Sequence, residues 1–522
     1  MGFALALVVA AATGFIALSY EILWYRVISY ASWGLPGAFG LLLAAYLFGI
    51  AIGARIAGAF CNDDNAAGDR RHLRTLAGFA FVANVAAWLV VPAFGWSAKR
   101  WDWPPALVAV AIAAALLGAL LPLVSHFGIE PDDRAGARTS YVYLANIVGS
   151  AAGSLLTGFV FLDRWPLQKT AAIVGALGMT LVVVLVALSE GSRLARGSAA
   201  AVAIGAALLV LVKTPALYDR LWERLTFKKQ FDETSTRFAE VIETKSGVIT
   251  VTSSNIVYGG GAYDGKINTS LLYDNNGIQR AYNIGGMHPA PKRVLMIGLA
   301  SGSWAKVVST MPGLEKLVIV EINDGYLQLI GRHDEVRSIL TDPKVEIAID
   351  DGRRWLQRHA DRFDVVVMNT TFHWRAHSTS LLSADFFEIV RAHLNPGGFL
   401  YFNSTSSADV QKTGFTVFPH GMRVYNCIAV GDSPIVLEKE RFRQVLLEWR
   451  LDGEPVIDLE KPSGRQLLAE MLDYADSIHR PPDDEGLESR ESMLKKVAAA
   501  AVITDDNMVP EWRQVLRFPE AF

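Results

Sequence analysis

The sequence is poor in cysteine and in charge. It has two cysteines in 522 residues, Cys61 and Cys427, in different halves of the chain. Neither has metal-ligand residues around it, so neither a disulfide framework nor a metal site is predicted. Charged residues make up only 19% of the chain, the formal net charge is −3, and no basic tract occurs. We therefore expect no nucleic acid among the partners.

The few charges are unevenly distributed. Residues 1–212 consist almost entirely of Ala, Leu, Val, Gly and aromatic residues, whereas residues 213–522 have the mixture of a soluble protein. A helix that spans a bilayer needs about 20 apolar residues, so residues 1–213 predict a transmembrane helical domain. Its predicted spans, about seven in number, are residues 3–30, 36–60, 75–95, 105–124, 141–162, 169–189 and 198–213. The first is not interpreted as a signal peptide, because it lacks a basic flank and further spans follow.

Two ionisable residues interrupt the first predicted span, Glu21 and Arg26. Charges inside a membrane are costly and are therefore candidates for a function. Two interpretations remain open. The residues pair or lie at the membrane interface for structural reasons, or they belong to a substrate path.

Two pairs of glycines four residues apart occur within the predicted spans, Gly49 with Gly53 and Gly149 with Gly153. Small residues at this spacing let two helices approach closely. We therefore expect both pairs to mark helix–helix contacts.

Two short regions are predicted to follow the apolar half. Residues 214–236 combine basic and aromatic residues and predict an amphipathic linker at the membrane surface, with Trp222, Leu225 and Phe227 on its apolar side. Residues 237–291 contain short apolar runs separated by turn signals. They predict a small antiparallel β-region.

Residues 292–322 predict a strand, a glycine-containing turn, a helix and a second strand that ends on Glu321. This is the first crossover of a doubly wound α/β sheet. The turn offers backbone N–H groups, and the acid can accept both hydroxyls of a ribose. The alternation of strands and helices continues, predicting a Rossmann-like core over residues 292–435 and a helical extension over residues 436–522.

The carboxyl ends of the predicted strands carry residues that could hold a ligand, since these ends meet at one edge of such a sheet. They are Gly298, Glu321, Asp350, Asp351 and Asn369. Several strands that each end on a polar residue or a glycine at the same edge are stronger evidence for a ligand site than one glycine-rich turn. We therefore predict a nucleoside-cofactor site at this edge.

At these residues the chain resembles the spermidine synthase (polyamine aminopropyltransferase) family, over about residues 240–430. The likeness includes the glycine-rich turn, Glu321, the Asp351-Gly352 pair and a closing ITDDNMVPEW segment. The stretches GFIALSYEILWYRVI and YLANIVGSAAGSLLTGFVFL resemble the helices of bacterial proteins that fuse such a domain to a membrane bundle. The resemblance implies a fold of the S-adenosylmethionine-dependent transferase type. It also implies S-adenosylmethionine or its decarboxylated form as a substrate, with no metal.

The resemblance implies cofactor-binding roles for individual residues. Glu321 would bind the ribose hydroxyls, Asp351 the adenine amino group, and Gln279 the sulfur side of the cofactor. The other cofactor-binding candidates are Gly298, Ser301, Gly302, Asp350, Gly352 and Asn369.

The sequence departs from the family pattern where the chemistry would occur. Ser301 stands where the family has an Asp that holds the cofactor's amine, and Asn369 and Phe372 stand where its catalytic loop has acids. Each lost charge-assisted hydrogen bond is worth about 1.5–3 kcal/mol. The attraction of the site for a diamine is therefore expected to be weaker.

The altered loop, residues 369–380, contains other candidates. His373 and His377 could act as bases near neutral pH. Arg375 could bind a carboxylate, and Trp374 and Phe372 could face a sulfonium through cation–π contacts. The alternative is a lid whose polar residues only bond one another.

Other acids also have two interpretations. Tyr263 and Asp264 could hold or deprotonate an amine, or could form an ordinary turn. One of Asp350 and Asp351 is expected only to cap the following helix. The aspartates at 505–506 are expected to anchor the C-terminal segment rather than approach the site.

Three functions remain open. The first, which we predict, is aminopropyl-type transfer to a small amine or polyamine with release of methylthioadenosine. The second uses intact S-adenosylmethionine for methyl transfer, aminocarboxypropyl transfer or intramolecular cleavage. The third is a nucleoside sensor, without catalysis, that regulates the membrane domain. Assembly into a homo-oligomer is compatible with each of the three functions. The predicted catalytic residues are Tyr263, Asp264, Asn369, His373 and Arg375.

Two arguments about orientation conflict. The loops between the spans alternate between the two faces of the membrane. Lys and Arg are somewhat more numerous in the loops on the same face as the N-terminus, which favours a cytoplasmic N-terminus. With seven spans the soluble part would then lie outside the cell, where nucleoside cofactors are scarce. The cofactor argument is the stronger, so we predict a bacterial inner-membrane protein with its soluble part in the cytoplasm.

Overall fold

The computed structural model describes residues 1–61, 69–369, 372–481 and 486–513. Parts of the predicted site loop (370–371) and of the predicted extension (482–485 and 514–522) lie outside these residues. The chain divides into two compact units. The helical unit comprises Met1–Phe238 and Glu243–Val248, and the α/β unit comprises Ala239–Ile242 and Ile249–Phe522.

The helical unit contains helices of different lengths, most of them apolar. They are α1 (Phe3–Ala31), α2 (Gly37–Ala57), α3 (Leu73–Ser97), α4 (Ala106–Gly118), α5 (Leu120–Gly128), α6 (Ala135–Leu156), α7 (Leu162–Arg164), α8 (Leu167–Leu188), α9 (Arg193–Tyr218) and α10 (Leu221–Phe227). Within the described ranges, 7 helical segments are long and apolar enough to cross a membrane. This agrees with the spans predicted from the sequence, although α9 is longer than its predicted span.

Glycines bring two pairs of these helices into backbone contact. A Cβ atom at Gly149 on α6 would overlap the carbonyl group of Ala11 on α1. One at Gly53 on α2 would overlap the carbonyl group of Ala115 on α4. The predicted role of these glycines in close helix packing is confirmed.

Replacing Gly149 by valine is expected to lower stability by about 1–3 kcal/mol or more, because the added atoms force α1 and α6 apart. The thermal unfolding midpoint of the detergent-solubilised protein measures this loss. Gly205→Val is the matched control, since an added Cβ there meets no atom within 4 Å. Equal losses in the two variants would contradict the packing role.

The segment predicted as a surface linker packs inside the helical unit instead. Trp222 and Leu225 are buried. The Trp222 ring lies 4.7 Å from the ring of Tyr30, and its indole N–H donates a hydrogen bond to Glu243 at 3.1 Å. The structure thus differs from the predicted surface helix, because the apolar face of this segment finds partners distant in sequence.

Arg26 has a structural role within the helical unit. Its guanidinium donates hydrogen bonds to the carbonyl oxygens of Thr244 (2.6 Å), Lys245 (2.8 Å) and Gly247 (3.2 Å). These residues belong to the same unit. Arg26 therefore holds a turn and does not neutralise Glu21.

A 4-stranded sheet opens the α/β part, in the order β1-β2-β3-β4. Its strands are β1 (Glu240–Thr244), β2 (Gly247–Val251), β3 (Ile256–Gly259) and β4 (Ala262–Lys266). Strands β2, β3 and β4 pair antiparallel, as the predicted β-region requires.

The second half of the predicted β-region is not a sheet. It forms two short helices, α11 (Gln279–Tyr282) and α12 (Ile284–Met287). The Asp274 carboxylate accepts hydrogen bonds from the backbone N–H groups of Asn276 (3.0 Å), Ile278 (2.9 Å) and Gln279 (3.1 Å). By satisfying the N–H groups at a helix start, Asp274 favours a helix where the apolar pattern had predicted a strand.

The core is an 8-stranded mixed sheet in the order β14-β10-β11-β9-β8-β5-β6-β7. The strands are β5 (Arg293–Ile297), β6 (Lys316–Glu321), β7 (Val345–Ile349), β8 (Phe363–Met368), β9 (Leu394–Asn403), β10 (His420–Val424), β11 (Cys427–Gly431) and β14 (Glu488–Ser489). Strands β5 to β9 are parallel, and β11 lies antiparallel between β9 and β10. This is the predicted doubly wound, Rossmann-like fold.

Helices cover both faces of this sheet. They are α13 (Ser303–Ser309), α14 (Gly325–Gly331), α15 (Gly352–Arg358), α16 (Thr379–Leu382), α17 (Ala384–Ala392) and α18 (Ala408–Val417). Consecutive β5 residues alternate between two buried clusters, Val294 and Met296 in one, Leu295 and Ile297 in the other. Strands buried on both faces read as continuous apolar runs, which explains why the sequence identified them.

The C-terminal part is mainly helical, as predicted. It contains α19 (Lys439–Glu448), α20 (Pro462–Asp476), α21 (Arg490–Lys496) and α22 (Val509–Arg513), with a small hairpin of β12 (Arg450–Leu451) and β13 (Glu454–Pro455). It also supplies β14, which pairs with β10 at the edge of the core sheet.

Candidate functional site

A cavity of about 330 Å³ lies at the carboxyl end of β5 in the α/β unit. Strand β4, the turn after β5, the loop after β8 and the segment after β9 all contribute to its walls. It brings together eight of the residues singled out from the sequence, namely Tyr263, Asp264, Gly298, Ser301, Asn369, Phe372, His373 and Trp374. The other predicted residues lie outside this lining.

The turn after β5 is stabilised by two glycines and by hydrogen bonds between uncharged serine hydroxyl groups. Gly298 and Gly302 have φ angles of +90° and +77°, which glycine adopts without strain. The buried Ser301 hydroxyl donates to Ser303 Oγ at 3.1 Å, and Ser303 Oγ donates to the Lys266 carbonyl oxygen at 3.0 Å. The turn is therefore held by hydroxyl groups and brings no charge of its own to the cavity.

Glu321 ends β6 and closes on this turn. Its carboxylate accepts hydrogen bonds from the backbone N–H of Leu299, which lines the cavity, at 2.7 Å and from that of Asn323 at 2.8 Å. The residue is only 5% exposed. Burial raises the pKa of Glu321 from its ordinary 4.5 to about 7, and hydrogen bonds from the backbone N–H groups of Asn323, Leu299 and Ile322 oppose this shift. A carboxylate offers about four lone-pair sites, so acceptor capacity remains for a ribose hydroxyl.

Asp264 projects from β4 between a phenol and a guanidinium. The hydroxyl of Tyr326, on α14, donates a hydrogen bond to its carboxylate. Burial raises the pKa of Asp264, while the Tyr326 hydroxyl and the Arg375 cation oppose the shift. Arg375 thus acts on the site through Asp264, and the neighbouring Tyr263 is 44% exposed at the cavity wall.

The loop after β8 is tied to the segment after β9. His373 Nδ1 lies 2.6 Å from Thr405 Oγ1, and Asn369 Oδ1 accepts a hydrogen bond from Asn403 Nδ2 at 3.1 Å. Burial lowers the pKa of His373, with Asp409 opposing the shift. His373 is therefore neutral near pH 7, whereas His377 is exposed and lies outside the cavity lining.

The closing segment of the chain anchors this loop. The Glu511 carboxylate accepts hydrogen bonds from the backbone N–H groups of His377 (3.1 Å) and Thr379 (2.9 Å). Asp505 pairs with Arg353 and accepts a hydrogen bond from the Ser383 hydroxyl at 2.7 Å. The predicted anchoring role is confirmed for Asp505, while the contribution of Glu511 was not expected.

Replacing Glu511 by alanine is expected to free the loop, because two charge-assisted hydrogen bonds worth about 1.5–3 kcal/mol each are lost. Hydrogen exchange of the amides of residues 377–379 should become faster, and the thermal unfolding midpoint should fall. Glu491→Ala is the control, because Glu491 is an exposed acid that pairs with Lys495, four residues away. Unchanged exchange at residues 377–379 would contradict the anchoring role.

Asp350 and Asp351 serve the start of α15. Asp351 caps this helix by accepting the Arg354 backbone N–H at 2.8 Å. Asp350 accepts the Asp351 backbone N–H at 2.7 Å and pairs with Arg354. One of the two acids therefore caps the helix, as expected, and it is the acid that the resemblance assigned to adenine. The cofactor roles of these residues and of Gln279, which begins α11, stay predictions.

The cavity includes polar residues that the sequence did not single out. The Arg280 guanidinium lies 5.5 Å from the centre of the Trp304 ring and donates to Asn426 Oδ1 at 2.6 Å. Asn276 Oδ1 is buried and, within the described part of the chain, accepts no hydrogen bond. No local pattern marks these residues, because the α11 segment and the β10–β11 hairpin meet only in the folded chain.

Residues 283–420 match the family model described as the spermine/spermidine synthase domain. A polyamine aminopropyltransferase of Oceanobacillus iheyensis is 23% identical over 319 residues, which cover 59% of this chain and 60% of that relative. A polyamine aminopropyltransferase of a Thermoanaerobacter species is 29% identical over 120 residues, 23% of this chain and 43% of the relative. The chain thus spans less than two thirds of the length of each of these relatives.

Two solved structures are also similar. A spermidine synthase in complex with the transition-state analogue AdoDATO is 16% identical with a TM-score of 0.37, covering 50% of this chain and 89% of that one. A spermidine synthase from Thermotoga maritima is 16% identical with a TM-score of 0.34, covering 45% and 88%.

Proposed function

We propose that the chain is a transferase that acts on an adenosyl sulfonium, because residues 283–420 match the family model described as the spermine/spermidine synthase domain. It would bind decarboxylated S-adenosylmethionine and transfer its aminopropyl group to a small amine or polyamine. The observation that supports this most directly is Asp264, an acid in the cavity wall with a hydrogen bond from Tyr326. Its carboxylate would attract a cationic amine and take its proton.

In the proposed reaction the acceptor nitrogen forms a bond to the carbon next to the sulfonium. The carbon–sulfur bond breaks, and its electron pair stays on sulfur as the neutral thioether of methylthioadenosine. The proton of the nitrogen passes to Asp264, whose pKa is raised by burial, so that it is a better proton acceptor near neutral pH. Neutral His373 and Asn369 would orient the acceptor, while Tyr263 and Trp374 face the sulfonium.

The cofactor would lie across the edge of the sheet. Glu321 would accept both ribose hydroxyls, and the turn from Gly298 to Gly302 would approach the sulfonium side. Arg375 would hold the Asp264 carboxylate in position, since both groups interact electrostatically. We extend the proposal to location: the helical unit lies in the bacterial cell membrane, and the α/β unit lies in the cytoplasm, where nucleoside cofactors are made.

Arg280 favours a second candidate, a transferase or lyase that uses intact S-adenosylmethionine. This cavity-lining cation donates to neutral oxygens of Asn426 (2.6 Å), Gly277 (2.8 Å) and Asn276 (2.9 Å). Arginine binds carboxylates well, and Ser301 adds no negative charge against one. The cavity could therefore accept the carboxylate that the decarboxylated cofactor lacks.

Product analysis separates these functions. Purified full-length protein is incubated with putrescine and either cofactor, and the products are identified by mass spectrometry. Methylthioadenosine and an aminopropylated amine from the decarboxylated cofactor are expected. S-adenosylhomocysteine, or methylthioadenosine formed from the intact cofactor, would support the second candidate. Binding without turnover would support a sensor, and absence of binding of both cofactors would overturn the proposed function.

A further inference from the structure

The helical unit contains a cavity of about 390 Å³. Its walls come from α1, α2, the α4–α5 segment and α6. The two glycine-packed pairs, α1 with α6 and α2 with α4, frame it. Protein interiors are close-packed and contain few voids larger than a water molecule, whereas small-molecule sites typically measure about 300–1,000 Å³. The cavity therefore has the size of a ligand site.

The cavity lining combines polar and apolar side chains. Among the polar ones, the Thr13 hydroxyl and the Asn146 amide both donate to the Ala10 carbonyl oxygen, at 3.0 and 3.1 Å. These bonds hold the two side chains in place. Ile50 and Leu121 are among the apolar ones. A ligand that fits this lining combines a polar group with a hydrocarbon body.

Glu21 lies on α1 beside the cavity but is not one of the residues that line it. It follows the cavity-lining residues Ala17 and Leu18 by one helical turn on the same face of α1. It also interacts electrostatically with Tyr46, which lines the cavity. Glu21 is only 8% exposed, and in the described ranges no side chain donates a hydrogen bond to its carboxyl group or forms an ion pair with it. The cation nearest in sequence, Arg26, is occupied by backbone carbonyls.

We infer that this cavity binds an organic ammonium ion with a short hydrocarbon body, and that Glu21 is its counter-charge. A buried carboxylate without a partner is costly in its ionised form, and a bound cation removes that cost. An alkylammonium ion needs one acid for its charge and apolar side chains, such as Ile50 and Leu121, for its methylene groups. This inference does not depend on the proposed function.

Equilibrium binding of radiolabelled butylamine to the full-length protein in lipid nanodiscs tests the inference. The measurement uses an Asp264→Asn background, so that an amine site in the α/β unit does not contribute. Saturable binding is expected, and 1-butanol, which has the same body without the charge, should not compete. Glu21→Gln should weaken binding about tenfold or more, and Ala17→Phe should abolish it by filling the cavity. Glu130→Gln, at an exposed acid outside the lining, should leave binding unchanged.

Absence of saturable binding, or equal binding by the parent, Glu21→Gln and Ala17→Phe proteins, would overturn the inference. The two variants act by different means, one removing a charge and the other removing space. If one of them does not fold, as shown by its thermal unfolding midpoint, the other still decides the result. Competition by 1-butanol equal to that of unlabelled butylamine would also overturn it, since the counter-charge would then contribute nothing.

Discussion

Replacing Glu321 by alanine is expected to weaken nucleoside binding by at least about a hundredfold. If its carboxylate accepts two ribose hydroxyls, the variant loses two hydrogen bonds to a charged group, each worth about 1.5–3 kcal/mol. Their sum corresponds to roughly two to four orders of magnitude in the dissociation constant. Isothermal titration of the full-length protein with methylthioadenosine measures the loss. Unchanged affinity would remove Glu321 from the site.

Glu321 also accepts hydrogen bonds from the backbone N–H groups of Leu299 and Asn323, so its replacement could weaken binding by disturbing the fold. The pH dependence of nucleoside binding distinguishes a loss of ligand contacts from a loss of folded structure. With a pKa of about 7, ionised Glu321 predominates above pH 7, so affinity should fall up to about tenfold per pH unit below it. The contribution to stability has the opposite sign. Since the folded pKa is raised above the ordinary 4.5, stability declines as the pH rises from about 4.5 to 7.

Glu321→Gln should lose both pH dependences while keeping an acceptor oxygen at the same place. A binding profile that is flat between pH 6 and 8 in the unaltered protein would contradict the assignment. A global loss of structure would lower binding at every pH and would also lower the unfolding midpoint.

Replacing Asp264 by asparagine is expected to reduce turnover about 10²–10⁴-fold, the range found for a general base. Asparagine preserves the size of the side chain and its hydrogen bond with Tyr326, but cannot accept the amine's proton. Affinity for methylthioadenosine should change little, because the nucleoside would bind through Glu321. The measurement is the rate of methylthioadenosine release at saturating cofactor and amine, compared with the titration of the same variant.

Tyr326→Phe provides the positioning control for Asp264. Removing the donated hydrogen bond should raise the pKa of Asp264 further and shift the acidic limb of the pH–rate profile upward without abolishing turnover. Asp334→Asn, at an acid whose side chain is 84% exposed, should leave the profile unchanged. Equal activity of Asp264→Asn and the unaltered protein would show that another group takes the proton.

The sequence located the α/β core because its signals are local. The continuous apolar runs of β5 and β6, with a glycine turn between them, predict the crossover whatever surrounds it. The same holds for the membrane-type helices, whose length and composition are properties of each segment alone. The prediction from hydrophobic periodicity alone was wrong after residue 267. There the Asp274 carboxylate caps the start of a helix in a stretch that had been predicted as a strand.

The surroundings of the candidate site residues depend on contacts between residues that are distant in sequence. Asp264 was visible as a candidate, but its partner Tyr326 lies 62 residues away. Glu511 reaches the loop at His377 across 134 residues. Arg280 and Asn426 are 146 residues apart. No spacing rule connects such pairs, because the fold sets their distance.

By itself, the sequence determined the strand–turn–helix–strand segment of residues 292–322, its closing acid Glu321, and the helices long enough to cross a membrane. These follow from hydrophobic periodicity and backbone preference, which act between near neighbours. The tertiary structure alone decided that Asp264 lies against Tyr326, that Arg26 is occupied, and that Glu21, beside a cavity, has no partner among the residues that the structure describes. Burial and electrostatic pairing depend on which distant segments pack together, and that information is distributed over the whole chain.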